Sequence, residues 1–261
     1  MEVKIKKTIK AGNSSAVVLP RSWLHKDVRI ELVKKTFEDM VLDVIEIVRA
    51  HIELKEIIGV YLTGSYAREE EDEHSDIDIM VVTKDIDKQM IHEGIYNILI
   101  ISTELLKQKL KQDLLPVGQM IKESKAILNS DYLSSIKIKV TKKNISWYID
   151  TSKDKLRIIK KILKRNEERG RKGVNDLVIY TLVLRIRTLD IIKKLIKNED
   201  YSKKDFIKTI RKISKGERAY ERYLAVKNNL EEKEVVSLEE AKRLYEYFKD
   251  QLSEVKRLLR G

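Results

Sequence analysis

Asp76 and Asp78 stand one residue apart at the head of an apolar run, Ile77-Asp78-Ile79-Met80-Val81-Val82. In a strand successive side chains point to opposite faces, so the two acids share one face and Ile77 and Ile79 the other. Neighbouring carboxylates repel, and both stay ionised cheaply only with a cation between them. Oxygen donors of this kind suit Mg²⁺, which takes one or two carboxylates and completes its shell with water and substrate phosphates. Upstream lies Thr63-Gly64-Ser65-Tyr66-Ala67-Arg68, closing the run Ile57-Ile58-Gly59-Val60-Tyr61-Leu62 that reads as a buried strand. A Gly after a strand lets backbone N–H groups approach a phosphate, and a Ser hydroxyl adds a donor. The pattern predicts a phosphate cradle at Gly64 and Ser65 facing a metal-binding pair at Asp76 and Asp78.

With Leu62-Thr63-Gly64-Ser65 and Asp76-Ile77-Asp78-Ile79 in place, the chain resembles the DNA polymerase beta-like nucleotidyltransferase superfamily, whose signature is hG[GS] followed shortly by Dh[DE]h. The resemblance implies a small mixed-sheet domain of αβαβ type. It also implies transfer of a nucleotidyl group from an NTP to an acceptor, with release of pyrophosphate. Asp76 and Asp78 would hold two Mg²⁺ ions and be the catalytic residues; Gly64, Ser65 and Arg68 would hold the NTP. The family usually carries a third acid on its third strand, assisting deprotonation of the attacking hydroxyl. The nearest position here is Asn97, which cannot accept a proton as a carboxylate does; Glu93 is the nearest alternative acid. Such domains often act beside helical HEPN ribonucleases, which need an Arg followed closely by a His. No His follows His92, so the C-terminal part cannot carry that motif.

Residues 1–35 read differently. Val3, Ile5 and Ile9 open an alternating stretch, Gly12-Asn13-Ser14-Ser15 is a turn cluster, Ala16-Val17-Val18-Leu19 is a short strand stopped by Pro20, and Val28-Arg29-Ile30-Glu31-Leu32-Val33 alternates as a third strand. Through Lys10-Ala11-Gly12-Asn13-Ser14-Ser15, Val18-Leu19-Pro20-Arg21-Ser22-Trp23-Leu24 and Val28-Arg29-Ile30-Glu31-Leu32, this piece resembles the SpoVT/AbrB-type swapped-hairpin domain. So small a piece cannot bury a core alone. In that family two copies interleave, which implies a homodimer; the segment serves either DNA binding or dimerisation only.

The remaining elements must position the motif. Thr36 caps a helix with Phe37, Val41, Val44, Ile45 and Val48 on one face. Glu69 to Ser75 is a charged run expected to be a solvated loop, with His74 beside the acids and no identifiable partner. Lys84 to Met90 reads as loop or short helix, and Ile95 to Ile101 as the third strand. Ser102 caps the next helix, Leu114 to Leu128 continues helically after Pro116 and Gly118, and Ile136 to Val140 is a strand or linker. From Ser152 onward every periodic segment is helical. Asp176 to Lys197 is apolar around most of its circumference and should be the central helix; Asn175, Ser202 and Ser237 are caps, the last in a capping box with Glu240. Arg185 and Arg187 on that central helix could form an anion-binding face or simply snorkel. The fold class is α+β: a short N-terminal β segment (1–35), a nucleotidyltransferase-like sheet domain (36–145) and a helical bundle (146–261).

Composition bounds the partners. The 261 residues hold no Cys, so thiolate zinc sites, disulfides and Cys nucleophiles are excluded. No apolar run is long enough to span a membrane, and the opening residues do not form a signal peptide core; a cytoplasmic protein is expected. High Lys and Glu content also suits a thermophile. The net charge of +12 is uneven: +6 over residues 1–35, −7 over 36–150 and +13 over 151–261. Basic ends around an acidic middle suggest a nucleic-acid partner or a solvated lysine surface. Two functions follow: an Mg²⁺-dependent nucleotidyltransferase with an unknown acceptor, or a catalytically degenerate nucleotide-binding regulator that binds DNA through its AbrB-like segment.

Overall fold

The computed structural model describes residues 4, 6, 8–31, 35–72, 75–88, 90–230 and 236–260. The chain divides into two compact units, Met1–Ala50 and His51–Gly261. In the first, β1 (Ile9–Ala11) and β2 (Ser14–Ala16) pair antiparallel across Gly12-Asn13. Gly12 takes φ +61°, the positive value that a tight two-residue hairpin asks of its first turn residue. The strands expected over Ala16 to Leu19 and from Val28 onward do not form: 17–20 and 26–31 carry no regular structure. Leu32, Val33, Val3 and Ile5 lie outside the described residues. Alternation favours a strand only where a partner satisfies its backbone groups, and among the described residues of this unit the strands are a hairpin of three residues each. Val18, Leu24 and Ile30 are 63%, 66% and 69% exposed. α1 (Phe37–Arg49) starts on the expected cap: Thr36 Oγ1 accepts from the Asp39 N–H, and the Asp39 carboxylate accepts from the Thr36 N–H.

The second unit opens with β3 (Ile57–Thr63), which turns through the one-turn helix α2 (Gly64–Ala67) and a loop into β4 (Ile77–Thr83). β5 (Ile91–Glu93) and β6 (Tyr96–Ser102) form a hairpin across Gly94-Ile95. α3 (Thr103–Gln112), α4 (Val117–Glu123) and β7 (Lys125–Leu128) follow. The five strands make one mixed sheet in the order β5-β6-β4-β3-β7; β4 and β6 are parallel, the other pairs antiparallel. Lys125 to Leu128 was expected as helix. It is an edge strand because β3 would otherwise leave its ladder open, a demand that local sequence does not carry. In β4, Ile77, Ile79, Met80, Val81 and Val82 are fully buried, as a strand covered on both faces requires. Asp78, half-buried, is the one charged residue in that strand.

α5 (Ser130–Ser135) and the linker Ile136 to Val140, which has no regular structure, lead to the helices α6 (Ser146–Glu168), α7 (Asp176–Lys197), α8 (Lys203–Ser214), α9 (Arg218–Lys227) and α10 (Leu238–Leu258). Two-residue strands β8 (Gly173–Val174) and β9 (Val236–Ser237) pair between them. α7 is central as expected: Ile179, Leu182, Val183, Ile186, Leu189 and Ile192 are buried in the helical core. Full burial of such a side chain contributes about 1.5–3 kcal/mol, whereas a cap such as Asn175 contributes about 1 kcal/mol, so packing holds this helix and the cap sets where it starts. Ser202 and the Ser237–Glu240 box also cap as expected. Among the described residues no helix is long and apolar enough to cross a membrane.

Candidate active site

β3 ends at Thr63, which pairs with Asp78 of β4 and donates its hydroxyl to the Asp78 carbonyl at 3.2 Å. The next residue, Gly64, takes φ +69°. A Cβ built there would stand 2.2 Å from Asp78 Oδ2. Glycine is therefore required twice, for its backbone angle and for the closeness of the carboxylate. The turn and the second acid of the motif are in contact, as the spacing predicts. Asp76, exposed, immediately precedes the first residue of β4, and its charge acts on Asp78.

Burial pushes the Asp78 carboxyl above its usual range. A hydrogen bond from Asn97 opposes this, the like charge of Asp76 adds to it, and the positive charges of Arg68 and Lys227 oppose it. Lys227 is the last residue of α9, so the helical part contributes positive charge at Asp78. A carboxylate that burial and a neighbouring like charge disfavour as an anion is a donor that a divalent cation fits. Among the described residues no group of three or more His, Cys, Asp or Glu is placed to hold a metal. The pair would thus share an ion with substrate oxygens.

Arg68 is less available than its motif position suggests. Its Nε donates to Glu70 Oε2 at 3.1 Å and one terminal nitrogen to Glu123 Oε2 at 2.6 Å, and its guanidinium lies 5.5 Å from the Tyr201 ring centre. The side chains of Arg68, Glu70 and Glu123 are 13%, 7% and 8% exposed. Glu123 also accepts from Gln119 at 2.7 Å and, through Oε1, from the backbone N–H of Gly64 at 2.8 Å. A carboxylate from α4 therefore ties the Gly64 turn to Arg68. Ser65 is half-buried beside them.

The acidic run after Arg68 is not simply a solvated loop. Glu70 accepts from Ser202 Oγ at 2.8 Å and from the backbone N–H groups of Lys203 and Lys204 at 2.8 and 3.3 Å, so it caps α8 from outside the helix. Lys203 pairs with Asp72 at 2.8 Å. Orphan N–H groups at the start of α8 supply the reason: a carboxylate is the preferred partner there. Glu69 remains exposed and pairs with Lys125; Glu73 and His74 lie outside the described residues. Arg187 donates to the Tyr201 hydroxyl at 3.2 Å, and Arg185 to Thr151 Oγ1 at 3.0 Å while lying over Trp147. Both guanidinium groups are engaged by polar and aromatic partners of the helical part.

On the third strand, Asn97 stands opposite Asp78, and its Nδ2 donates to Asp78 Oδ1 at 3.2 Å. Glu93 pairs with Tyr96, one residue out of phase, and so faces the other side of the sheet. Glu123 and Tyr201 were not legible as site residues, because each reaches the motif across a long stretch of chain. His92 had a local signal: Gly94-Ile95 between two apolar-led triplets is a two-residue hairpin pattern.

Residues 43–133 match the family model described as Polymerase beta, Nucleotidyltransferase, and this part of the chain is a nucleotidyltransferase domain of that type. No curated protein matches the chain. Among solved structures it is similar to a nucleotidyltransferase-like protein from Exiguobacterium sibiricum 255-15, at 13% identity and TM-score 0.38, covering 82% of this chain and 75% of that one. It is also similar to a spectinomycin adenyltransferase from Enterococcus faecialis solved with ATP and spectinomycin, at 15% identity and TM-score 0.41, covering 84% of this chain and 100% of that one.

Proposed function

We propose that this protein moves a nucleotidyl group from an NTP to a hydroxyl or phosphate acceptor and releases pyrophosphate, with Mg²⁺ held by Asp76 and Asp78. One observation carries the reading: the Gly64 turn is pressed so closely on the Asp78 carboxylate that no side chain fits between them. That is the juxtaposition of phosphate cradle and metal-binding acid that such transfer needs, and the family match over 43–133 supports it. The metal, when bound, supplies positive charge to the triphosphate oxygens. Gly64 and Ser65 orient the triphosphate, Arg68 and Glu123 hold the turn in shape, and the helical part presents the acceptor beside Lys227. In a test, the full chain is titrated with Mg²⁺ and each of the four NTPs by calorimetry, then as Asp76→Ala and Asp78→Ala. Both variants should fold and lose Mg²⁺-dependent binding; unchanged affinity in both would sink the reading.

Asn97 at the position opposite Asp78 favours a second reading, a regulator that binds nucleotide without turning it over. Pyrophosphate release by the wild-type chain separates the two. The first unit supports a further part of the proposal. Ile9, Val18, Leu24, Val28 and Ile30 are all exposed within its first 30 residues, an apolar set that a second, interleaved copy would cover.

A further inference from the structure

Three side chains form a row across the sheet beside Asp78. The β4–β6 register sets Asp78 opposite Asn97, and the β5–β6 register sets His92 opposite Asn97. Residues paired directly across neighbouring strands share a face. The contacts form a chain: Asn97 Nδ2 donates to Asp78 Oδ1 at 3.2 Å, and Asn97 Oδ1 lies 2.7 Å from His92 Nδ1. With the ring neutral, one assignment of protons satisfies this chain. An ionised carboxylate accepts and cannot donate, so Asn97 turns its NH₂ toward Asp78 and its carbonyl toward His92. A carbonyl also only accepts, so His92 carries its proton on Nδ1 and keeps the lone pair on Nε2. The ring itself is exposed, while Asn97 and Asp78 are half-buried.

We propose that His92 is the general base of the transfer and that Asn97 is the residue that positions it. The inference rests on the nucleotidyl-transfer reading above. Asn97 cannot take a proton, yet it stands opposite Asp78 and hands the role one hydrogen bond further along the same row. Histidine is the side chain most often used for this task, and an amide oxygen on Nδ1 leaves Nε2 as the nitrogen that can accept a proton. In the step, the Nε2 lone pair takes the proton of the acceptor O–H. The oxygen's freed electron pair forms the bond to the α-phosphorus. The bond from that phosphorus to the bridging oxygen breaks, and its electrons leave with pyrophosphate. The imidazolium then returns its proton to solvent, which the exposure of the ring allows. Nothing is oxidised or reduced.

Two measurements on the full chain test this. Nitrogen-15 NMR of the His92 ring in the neutral form should show Nδ1 protonated and Nε2 bare, and Asn97→Leu should return the ring toward the tautomer mixture of free imidazole. A ring protonated on Nε2 in the wild type would overturn the assignment. The second measurement follows pyrophosphate release from each of the four NTPs with Mg²⁺, using water and added glycerol as probe hydroxyls. His92→Ala should slow release about 10²–10⁴-fold, the usual contribution of a general base, with Mg²⁺·NTP affinity unchanged. Added imidazole should recover part of the loss, and Asn97→Asp in the His92→Ala background should bring the rate within about tenfold of wild type by restoring a base in the row. Release by His92→Ala at the wild-type rate, or failure of both recoveries, would remove His92 as the base. Wild-type protein that releases no pyrophosphate from any NTP overturns nucleotidyl transfer itself, and the base with it; the two failures are read in different proteins.

Discussion

The backbone N–H of Gly64 donates to Glu123 Oε1 at 2.8 Å, across 59 residues of chain. The first amide of the motif turn is thus satisfied by a side chain of α4, and the second oxygen of the same carboxylate holds Arg68 at 2.6 Å. Removing it leaves a backbone donor and one arm of a guanidinium without a partner in a nearly closed space. Glu123→Ala should cost about 3 kcal/mol of stability, as expected when one member of a buried ion pair is deleted. Glu123→Gln keeps an acceptor for Gly64 and should cost about half as much. Urea unfolding of the full chain reads both; two variants within about 0.5 kcal/mol of wild type would mean that this link does not form in solution.

Gly64→Ala tests the turn itself. The left-handed backbone at φ +69° costs a residue with a Cβ about 1–2 kcal/mol. The new methyl would meet Asp78 Oδ2 at 2.2 Å, and the carboxylate must swing away. Mg²⁺-dependent NTP affinity should fall by at least about tenfold, or 1.4 kcal/mol, while the far-UV circular dichroism of the helices is unchanged. Calorimetry that finds the affinity intact would separate Asp78 from the nucleotide site.

How far these positions were legible depends on the range of the interactions that set them. The strand–turn–strand of the motif was readable because each half is local: an apolar run ending at Gly64, and an alternation around Asp78. α7, α8 and α10 were readable because their caps and apolar stripes lie within a few residues. β7 was not, since Lys125 to Leu128 is a strand only because β3 lies beside it. Glu70 read as solvated for a similar reason: its partners, Ser202 and Lys203, lie more than a hundred residues away and have no trace in the local charge pattern. Asn97 was legible only as the third-strand position nearest the family's third acid; that it stands opposite Asp78, and that the row runs on to His92, required the β4–β6 and β5–β6 registers.

If a second copy covers the apolar set of the first unit, a charge placed there should separate the copies without unfolding either. Val18 and Ile30 are 63% and 69% exposed, so Val18→Glu and Ile30→Glu should change the stability of a single chain by no more than about 0.5 kcal/mol. Each would bury a carboxylate in the joined form. Light scattering should find the wild type at twice the chain mass and both variants at the chain mass. A wild type that is already monomeric at about micromolar concentration, the range in which a specific dimer persists, would remove the second copy.

Glu70 joins the motif loop to α8, and acid should undo that joint. Burial alone would raise its carboxyl above 4.5, but the Lys203 N–H, the Ser202 hydroxyl, the Arg68 guanidinium and the Lys204 N–H all bond its charged form and outweigh burial, so its folded value is lowered. A carboxyl lowered on folding holds fewer protons in the folded chain than in the unfolded one, so it contributes stability above its unfolded value. That contribution is lost as pH falls from 4.5 through the lower folded value. Asp39, Glu69 and Glu199 are also lowered, so acid weakens the whole protein, and only a difference between variants isolates Glu70. Glu70→Gln should therefore be less stable than wild type by about 2 kcal/mol near neutral pH. The gap should narrow steadily below about pH 5 and nearly close where both chains carry an uncharged group at this position. Unfolding midpoints of the two proteins, taken from neutral pH down to the limit of the folded state, give the curve. A gap that stays constant through the acid range would mean that Glu70 carries no charge-dependent bond to α8, and that the loop between the two halves of the motif is held by packing alone.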